Sequence, residues 1–270
     1  MHAGRLRLGG KVAIVTGAGS SGPGIGTGKA ISILFAREGA RVLLVDRVGE
    51  RAEETLTAVR EEGGEAAVCE ADVTSAGDCQ RLVKAAKERY GRLDILVNNV
   101  GIVGPGSVLE VKEADWDRVL DVNLKSMLLT SKYAIAEMIA SGGGSIINLS
   151  SIAGLRAGSG GASIPYAVSK GGVIALTTQM AVHHGRDNIR VNCIAPGHLY
   201  TPMVAGGMSV EMRELRRRAG PLGTEGTAWD IAWATVFLAS DEARWITGVV
   251  LPVDAGLLAT TPLAVLRHLQ

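Results

Sequence analysis

From residue 11 onward, short apolar runs rich in β-branched residues alternate with stretches whose apolar positions recur at helical spacing. The runs are Lys11–Thr16, Arg41–Asp46, Ala66–Glu70, Leu93–Asn98, Ser145–Leu149, Arg190–Ile194 and Val249–Val253. They are apolar on both faces, the pattern of strands covered by helices on either side of a parallel sheet. The spacing predicts helices over Lys29–Glu38, Gly49–Glu62, Ser75–Tyr90, Lys112–Ser141, Pro165–His184 and Ala228–Ala239. Gly39, Gly63-Gly64 and Gly91 stand where left-handed C-caps belong, and Ser75 where an N-cap belongs. Strict alternation of strand and helix with right-handed crossovers gives an α/β fold, a doubly wound sheet of about seven parallel strands with helices on both faces. No linker or repeat divides residues 1–270, so one domain is expected.

The turn after the first run is unusually rich in glycine: Thr16-Gly17-Ala18-Gly19-Ser20-Ser21-Gly22-Pro23-Gly24-Ile25-Gly26-Thr27-Gly28-Lys29-Ala30. Glycines here let main-chain N–H groups approach a pyrophosphate at a helix N-terminus. Gly28-Lys29 is similar to the end of a P-loop. However, Pro23 occupies the place of that motif's first glycine, and Ala30 the place of its Ser or Thr. Asp46 ends the second run, where a carboxylate can accept both hydroxyls of an adenosine ribose. Together the turn and Asp46 point to a Rossmann-like dinucleotide-binding unit.

Composition narrows the class. Lys plus Arg number 28 against 27 Asp plus Glu, a net charge of +1 that argues against a nucleic-acid partner. Three cysteines, Cys69, Cys79 and Cys193, show no metal-ligand spacing and suit a reduced compartment, so a cytoplasmic location is expected. Neither a signal peptide nor a membrane span is expected, and no metal. His183-His184 have no partner cluster and suit the end of a helix as cations. A serine-hydrolase elbow is also absent. Gly142-Gly143-Gly144-Ser145-Ile146 lacks the closing glycine of that motif, and Gly158-Ser159-Gly160 the opening one.

Several motifs then fall in one order: Thr16-Gly17 with its glycine turn, Asp72-Val73, Asn98-Asn99-Val100-Gly101, Asn123, Ser151, Tyr166-x-x-x-Lys170 and Pro196-Gly197. The chain resembles the short-chain dehydrogenase/reductase family from Lys11 to about Gly256. It departs from the family in two places. The first turn carries additional residues, so either Gly24-Ile25-Gly26 or Gly26-Thr27-Gly28 matches the family's closing GxG. Val100 stands where alanine is more usual.

The resemblance implies a cofactor groove and an oxygen site. Gly17, Ser20, Ser21, Gly26 and Thr27 would hold the pyrophosphate, Asp46 the ribose, and Asp72 and Val73 the adenine. Asn99 and Gly101 would pass close to the ribose. Pro196, Gly197, Leu199 and Thr201 would hold the nicotinamide end, with Tyr166 and Lys170 also touching cofactor. Tyr166 and Lys170 are four apart on a helix and share a face. A free tyrosine has a pKa of about 10, so a fixed ammonium that lowers it makes the phenol useful in proton transfer at neutral pH. Ser151 would hold the substrate oxygen, with Ser150 as its competitor, because the interval to Tyr166 is longer than usual and the surplus fits Gly158–Gly161. Asn123 would anchor a water serving Lys170.

The function expected is hydride transfer between NAD(H) and a secondary alcohol or ketone, with NADP less favoured beside Asp46. An NADPH-linked 3-oxoacyl thioester reductase of the same family and a non-catalytic dinucleotide binder are the alternatives. A homotetramer is expected, as is a substrate lid over about 201–225. The apolar tail 257–270 is expected to cover the active-site mouth or to pack on a second subunit. The substrate is not legible. Arg156, His198 and the Arg213–Arg218 group each admit both a substrate role and a bystander role.

Overall fold

A computed structural model describes residues 6–157 and 163–269. Seven strands, β1 (Val12–Thr16), β2 (Arg41–Asp46), β3 (Glu65–Glu70), β4 (Ile95–Asn98), β5 (Gly144–Leu149), β6 (Ile189–Pro196) and β7 (Val250–Val253), form one sheet in the order β3-β2-β1-β4-β5-β6-β7. Every pairing is parallel. The order reverses between β1 and β4, which opens a crevice at their carboxyl ends.

Two apolar layers cover the sheet. Ala13 and Val15 of β1 face a core shared with α1 (Thr27–Arg37), α2 (Gly49–Glu61) and α9 (Ala228–Ala239). Val12 and Ile14, with side chains on the opposite face, join α3 (Ala76–Tyr90), α5 (Ser126–Ala140) and α6 (Ile164–His184). The apolar runs lack alternation because both faces are buried.

The predicted ends hold closely. Ser75 accepts from the Asp78 N–H as N-cap of α3, and Gly91 closes that helix at φ 81°. The helix expected over Lys29–Glu38 begins earlier, at Thr27, with Gly26 as N-cap. The helix expected over Lys112–Ser141 is interrupted. α4 (Glu113–Leu120) runs into a π-helical turn over Asp121–Lys125 before α5 resumes, and Asn123 sits in that turn. Such turns insert an extra residue and recur at functional sites. Hydrophobic periodicity did not reveal it, because one extra residue leaves the apolar pattern on either side nearly intact.

After β6 come two short helices, α7 (Pro202–Ala205) and α8 (Val210–Ala219), the latter capped by Ser209. The C-terminal helix α10 (Pro262–Leu269) lies against α8 within the same chain.

Candidate active site

The crevice between β1 and β4 is a cleft of about 770 Å³. Its walls include Gly17, Ser20, Ser21, Gly26 and Thr27 from the first turn, and Asp46, Asp72 and Val73 from the ends of β2 and β3. Asn99, Gly101 and Thr201 complete the expected lining. Sequence reasoning missed Arg51 on α2 and Asp117, Arg118 and Val122 on the α4 side. Nothing in their spacing marked them, because the tertiary fold alone brings α4 over the cleft.

The first turn settles which glycines close it. Gly28 lies so near β1 that a Cβ there would fall 1.9 Å from the Gly17 carbonyl oxygen. Gly26-Thr27-Gly28 therefore forms the close approach at the start of α1. Gly22 and Gly24 instead face Pro202 of α7, at 3.8 and 3.7 Å from their virtual Cβ positions. The additional residues arch from the turn toward the segment after β6. The Ser20 hydroxyl accepts from the Gly26 N–H at 2.8 Å and shapes the arch. No acidic side chain and no side-chain cap occupies the N-terminus of α1, so its first N–H groups face the cleft with the positive end of the helix dipole.

Asp46 is fixed at the β2 end of this lining. Its Oδ2 accepts from the Gly19 N–H at 3.0 Å and its Oδ1 from the Val48 N–H at 3.0 Å. Each oxygen keeps a further lone pair for a ligand hydroxyl. Arg47 and Arg51 border the same end. Lys29 does not, since its ammonium is 3.9 Å from Glu54. Asp72 accepts from the Thr74 N–H and hydroxyl, which orders the turn after β3. Asn99 donates from Nδ2 to the carbonyls of Thr16 and Gly17, tying β4 to the glycine turn.

Ser151, Tyr166, Lys170 and Asn123 do not line this cleft directly, and Lys170 and Asn123 stand behind Gly101. A Cβ on Gly101 would lie 3.2 Å from Lys170 Nζ and 3.6 Å from Asn123 Oδ1. Lys170 is buried and donates from Nζ to the Leu149 carbonyl at 2.8 Å, with Nζ 5.6 Å from the centre of the Tyr166 ring. Burial pushes the Lys170 pKa down to about 8. Asn123 is fully buried, with both Nδ2 hydrogens donated and one lone pair of Oδ1 occupied. Oδ1 accepts from the Ile102 N–H at 2.8 Å, and Nδ2 donates to the Ile102 carbonyl and to the Ser169 hydroxyl. The side chain thus clamps the strand segment beyond β4 to helix α6.

The structure corrects one electrostatic expectation. Burial pushes the Tyr166 pKa above its ordinary value, and the hydrogen bond with Ser151 works downward against it. A buried ring pays for ionisation in lost solvation. The Ser150 and Ser151 hydroxyls have different partners. The Ser150 hydroxyl is buried and donates to the Lys170 carbonyl at 2.8 Å, whereas the Ser151 hydroxyl accepts from the Ala153 N–H at 3.1 Å and pulls the Tyr166 pKa down. Gly158–Gly161, invoked for the longer interval, lies outside the described residues.

Beneath these groups runs a buried polar network that the sequence reading overlooked. Asn98 donates to Asn148 Oδ1 at 2.9 Å and accepts from Thr130, and Asn148 donates to Thr177 at 2.9 Å. It joins β4, β5, α5 and α6. The signal was present, because Asn148 is a lone amide inside an otherwise apolar strand.

Pro196, the last residue of β6, and Gly197 and Leu199, in the loop after it, also lie outside the cleft lining. Gly197 passes so near Asp254 that a Cβ would fall 2.6 Å from the Asp254 Cα. Half-buried His198 places Nδ1 3.4 Å from the Arg216 carbonyl, and burial holds its pKa down. Three of the four arginines of α8 are internally engaged: Arg213 with Glu225, Arg217 with Glu214 and Gly223, and Arg216 with Leu199. Arg156 is exposed and donates to the Leu155 carbonyl. Among the described residues no group of three or more His, Cys, Asp and Glu could hold a metal, and no helix is long and apolar enough to cross a membrane.

Comparison with known proteins places this geometry. A family model described as enoyl-(acyl carrier protein) reductase matches residues 22–258. The chain is 38% identical over 253 residues to the 3-oxoacyl-[acyl-carrier-protein] reductase FabG of Thermotoga maritima, covering 94% of this chain and 100% of that one. It is 39% identical over 250 residues to the 2,5-dichloro-2,5-cyclohexadiene-1,4-diol dehydrogenase LinX of Sphingobium indicum, covering 93% and 97%. Among solved structures, a 7α-hydroxysteroid dehydrogenase complexed with NADH and 7-oxo glycochenodeoxycholic acid superposes with a TM-score of 0.87 at 36% identity, covering 93% and 96%.

Proposed function

The chain belongs to the short-chain dehydrogenase/reductase family of oxidoreductases, and from that premise we propose that it interconverts a secondary alcohol and a ketone with NAD(H). The observation that carries the reading is that the Tyr166 ring, with Ser151 pulling its pKa down, lies 5.6 Å from Lys170 Nζ, while Lys170 and Asn123 stand directly behind Gly101. The cleft fits a dinucleotide on three counts. Its volume lies in the range of cofactor sites, the uncapped start of α1 suits a diphosphate, and Asp46 suits a ribose diol.

In this reading Gly17, Ser20, Ser21, Gly26 and Thr27 hold the pyrophosphate, and Asp46, Asp72 and Val73 the adenosine. Asn99 and Gly101 flank the ribose. Pro196, Gly197, Leu199 and Thr201 hold the nicotinamide end, with Tyr166 and Lys170 against its ribose. A bound nicotinamide supplies the hydride donor or acceptor. In reduction the Tyr166 phenol gives its proton to the carbonyl oxygen as the carbon is reduced, and in oxidation it takes that proton back. Ser151 holds the same oxygen. Lys170 stabilises the phenolate, and Asn123, clamped to Ile102, belongs to the proton path that serves Lys170. The raised Tyr166 pKa fits a group that holds its proton until it is needed.

A second reading is a 3-oxoacyl thioester reductase using NADPH. Likeness to the Thermotoga maritima enzyme favours it. The arginine group on α8 lends it no support, since Arg213 and Arg217 are paired with Glu225 and Glu214. A dinucleotide binder without turnover would have no use for the Ser151–Tyr166–Lys170 set. Absorbance at the reduced-nicotinamide band, with NADH and NADPH against a panel of ketones and one acetoacetyl thioester, separates the three.

We also take residues 1–270 as one domain with a lid over about 201–225. A homotetramer is part of the proposal, supported by exposed apolar side chains on outer helices: Val182 on α6 at 79%, Trp233 on α9 at 51%, and Trp245 beyond it at 91%. A cytoplasmic setting accords with three free thiols, Cys69, Cys79 and Cys193.

A further inference from the structure

The guanidinium of Arg216 donates from Nη2 to the main-chain oxygen of Leu199 at 3.1 Å. Arg216 sits on the last turns of α8, and Leu199 lies in the loop after β6. Arg213, Arg216 and Arg217 share one face of the helix, and their partners divide the labour. Arg213 lies over the Tyr200 ring, 3.6 Å from its centre, and bonds both oxygens of Glu225. Arg217 bonds both oxygens of Glu214 and the Gly223 carbonyl. Of the three, Arg216 alone bonds the main chain of the loop.

The rest of that loop is fixed by backbone bonds. Gly197 N–H donates to the Val253 carbonyl at 2.9 Å, Leu199 N–H to the Gly197 carbonyl at 2.9 Å, and Tyr200 N–H to the Gly226 carbonyl at 2.8 Å. The Leu199 carbonyl is held instead by a side chain from the lid helix. A peptide plane anchored by a charged donor in a half-buried setting is oriented more firmly than one left to water.

We infer that Arg216 is a positioning residue for the nicotinamide end of the cofactor, acting through the Leu199 carbonyl to orient the Leu199 main chain and to couple helix α8 to the groove. The inference rests on the proposed placing of Leu199 beside the nicotinamide. An arginine group that the sequence left open between a substrate role and a bystander role thus becomes a link between lid and cofactor.

The test is calorimetric titration of wild type, Arg216→Met, Arg216→Lys and Arg217→Met with NADH and with ADP-ribose, which lacks the nicotinamide. Arg216→Met is expected to weaken NADH binding about tenfold, the scale of one charge-assisted hydrogen bond, while ADP-ribose binds as before. Arg216→Lys falls between, and Arg217→Met matches wild type. With a substrate in hand, the KM for NADH rises and kcat falls in Arg216→Met. Unchanged NADH binding in Arg216→Met overturns the inference. So does an equal loss for NADH and ADP-ribose, which would mark a merely structural residue. If Arg216→Met does not fold, Arg216→Gln, too short to reach the carbonyl, is judged by the same two outcomes. Wild type binding neither ligand would overturn the reading of the groove, and the inference with it.

Discussion

The Lys170 ammonium donates to the carbonyl of Leu149, the last residue of β5, two positions ahead of Ser151. Helix and strand are thereby locked, together with the Ser150 hydroxyl bond to the Lys170 carbonyl, just ahead of Ser151. Holding an ammonium in this dry place is costly, and burial lowers its pKa from 10.5 to about 8.

A pH-dependent stability follows from that shift. The folded state binds this proton less tightly than the unfolded chain, so the charge-burial cost is fully present below pH 8. It fades between about 8 and 10.5 and is gone above that range. Lys170→Met removes the cost, which is on the order of 3–4 kcal/mol, and also loses the bond to Leu149. Denaturant titrations of the ligand-free protein should show wild type gaining stability relative to Lys170→Met as pH rises from 8 to 10.5. A constant difference across that window would show that Lys170 is not buried as a charge. The variant should also lose activity and bind NADH more weakly.

Tyr166→Phe removes the proton donor and keeps the ring. The expected loss is at least ~10² in kcat, the low end for general acid–base catalysis, with NADH affinity little changed. Near wild-type turnover would refute the role given to Tyr166.

Cofactor choice should follow Asp46. A 2′-phosphate beside this carboxylate meets a repulsion of up to ~4 kcal/mol at 4 Å and an effective dielectric of 20. The Gly19 and Val48 N–H groups hold the carboxylate in place. NAD should therefore be preferred, and Asp46→Ala should relax the preference toward NADP, aided by Arg47 and Arg51. The comparison is kcat/KM with each cofactor on one substrate. A wild-type preference for NADP would overturn the assignment.

Gly28→Ala and Gly22→Ala form a matched pair. The first puts a methyl group 1.9 Å from a backbone oxygen, while the second meets only Pro202 at 3.8 Å. Gly28→Ala should abolish dinucleotide binding or folding of the first turn, and Gly22→Ala should leave NADH affinity within about twofold, as expected of a surface substitution. Equal tolerance would mean that the close approach lies elsewhere in the turn.

Light scattering at micromolar protein should give a species of several subunits, since side chains such as Trp245 and Val182 form large apolar exposures. Replacing Trp245 and Val182 with serine should lower the assembly state. A monomer in wild type would remove the proposal.

The sequence by itself determined what local rules govern. Apolar runs without alternation became doubly covered strands, and Ser75 and Gly91 ended α3 where their side-chain and φ preferences require. Tyr166 and Lys170 shared a face because they stand four apart on α6. The close approach at Gly26-Thr27-Gly28 rather than Gly24-Ile25-Gly26, the different partners of the Ser150 and Ser151 hydroxyls, and the glutamate and carbonyl partners of Arg213, Arg216 and Arg217 were decided only by tertiary structure. So were the π-turn at Asn123 and the upward pull on the Tyr166 pKa. Each depends on distance and burial between segments far apart in the chain: β1 against α1, β5 against α6, α8 against the loop after β6. Hydrophobic periodicity and residue spacing report which face of an element is apolar. They do not report which atom lies across from it, and that contact sets close approach, hydrogen-bond partner and solvation.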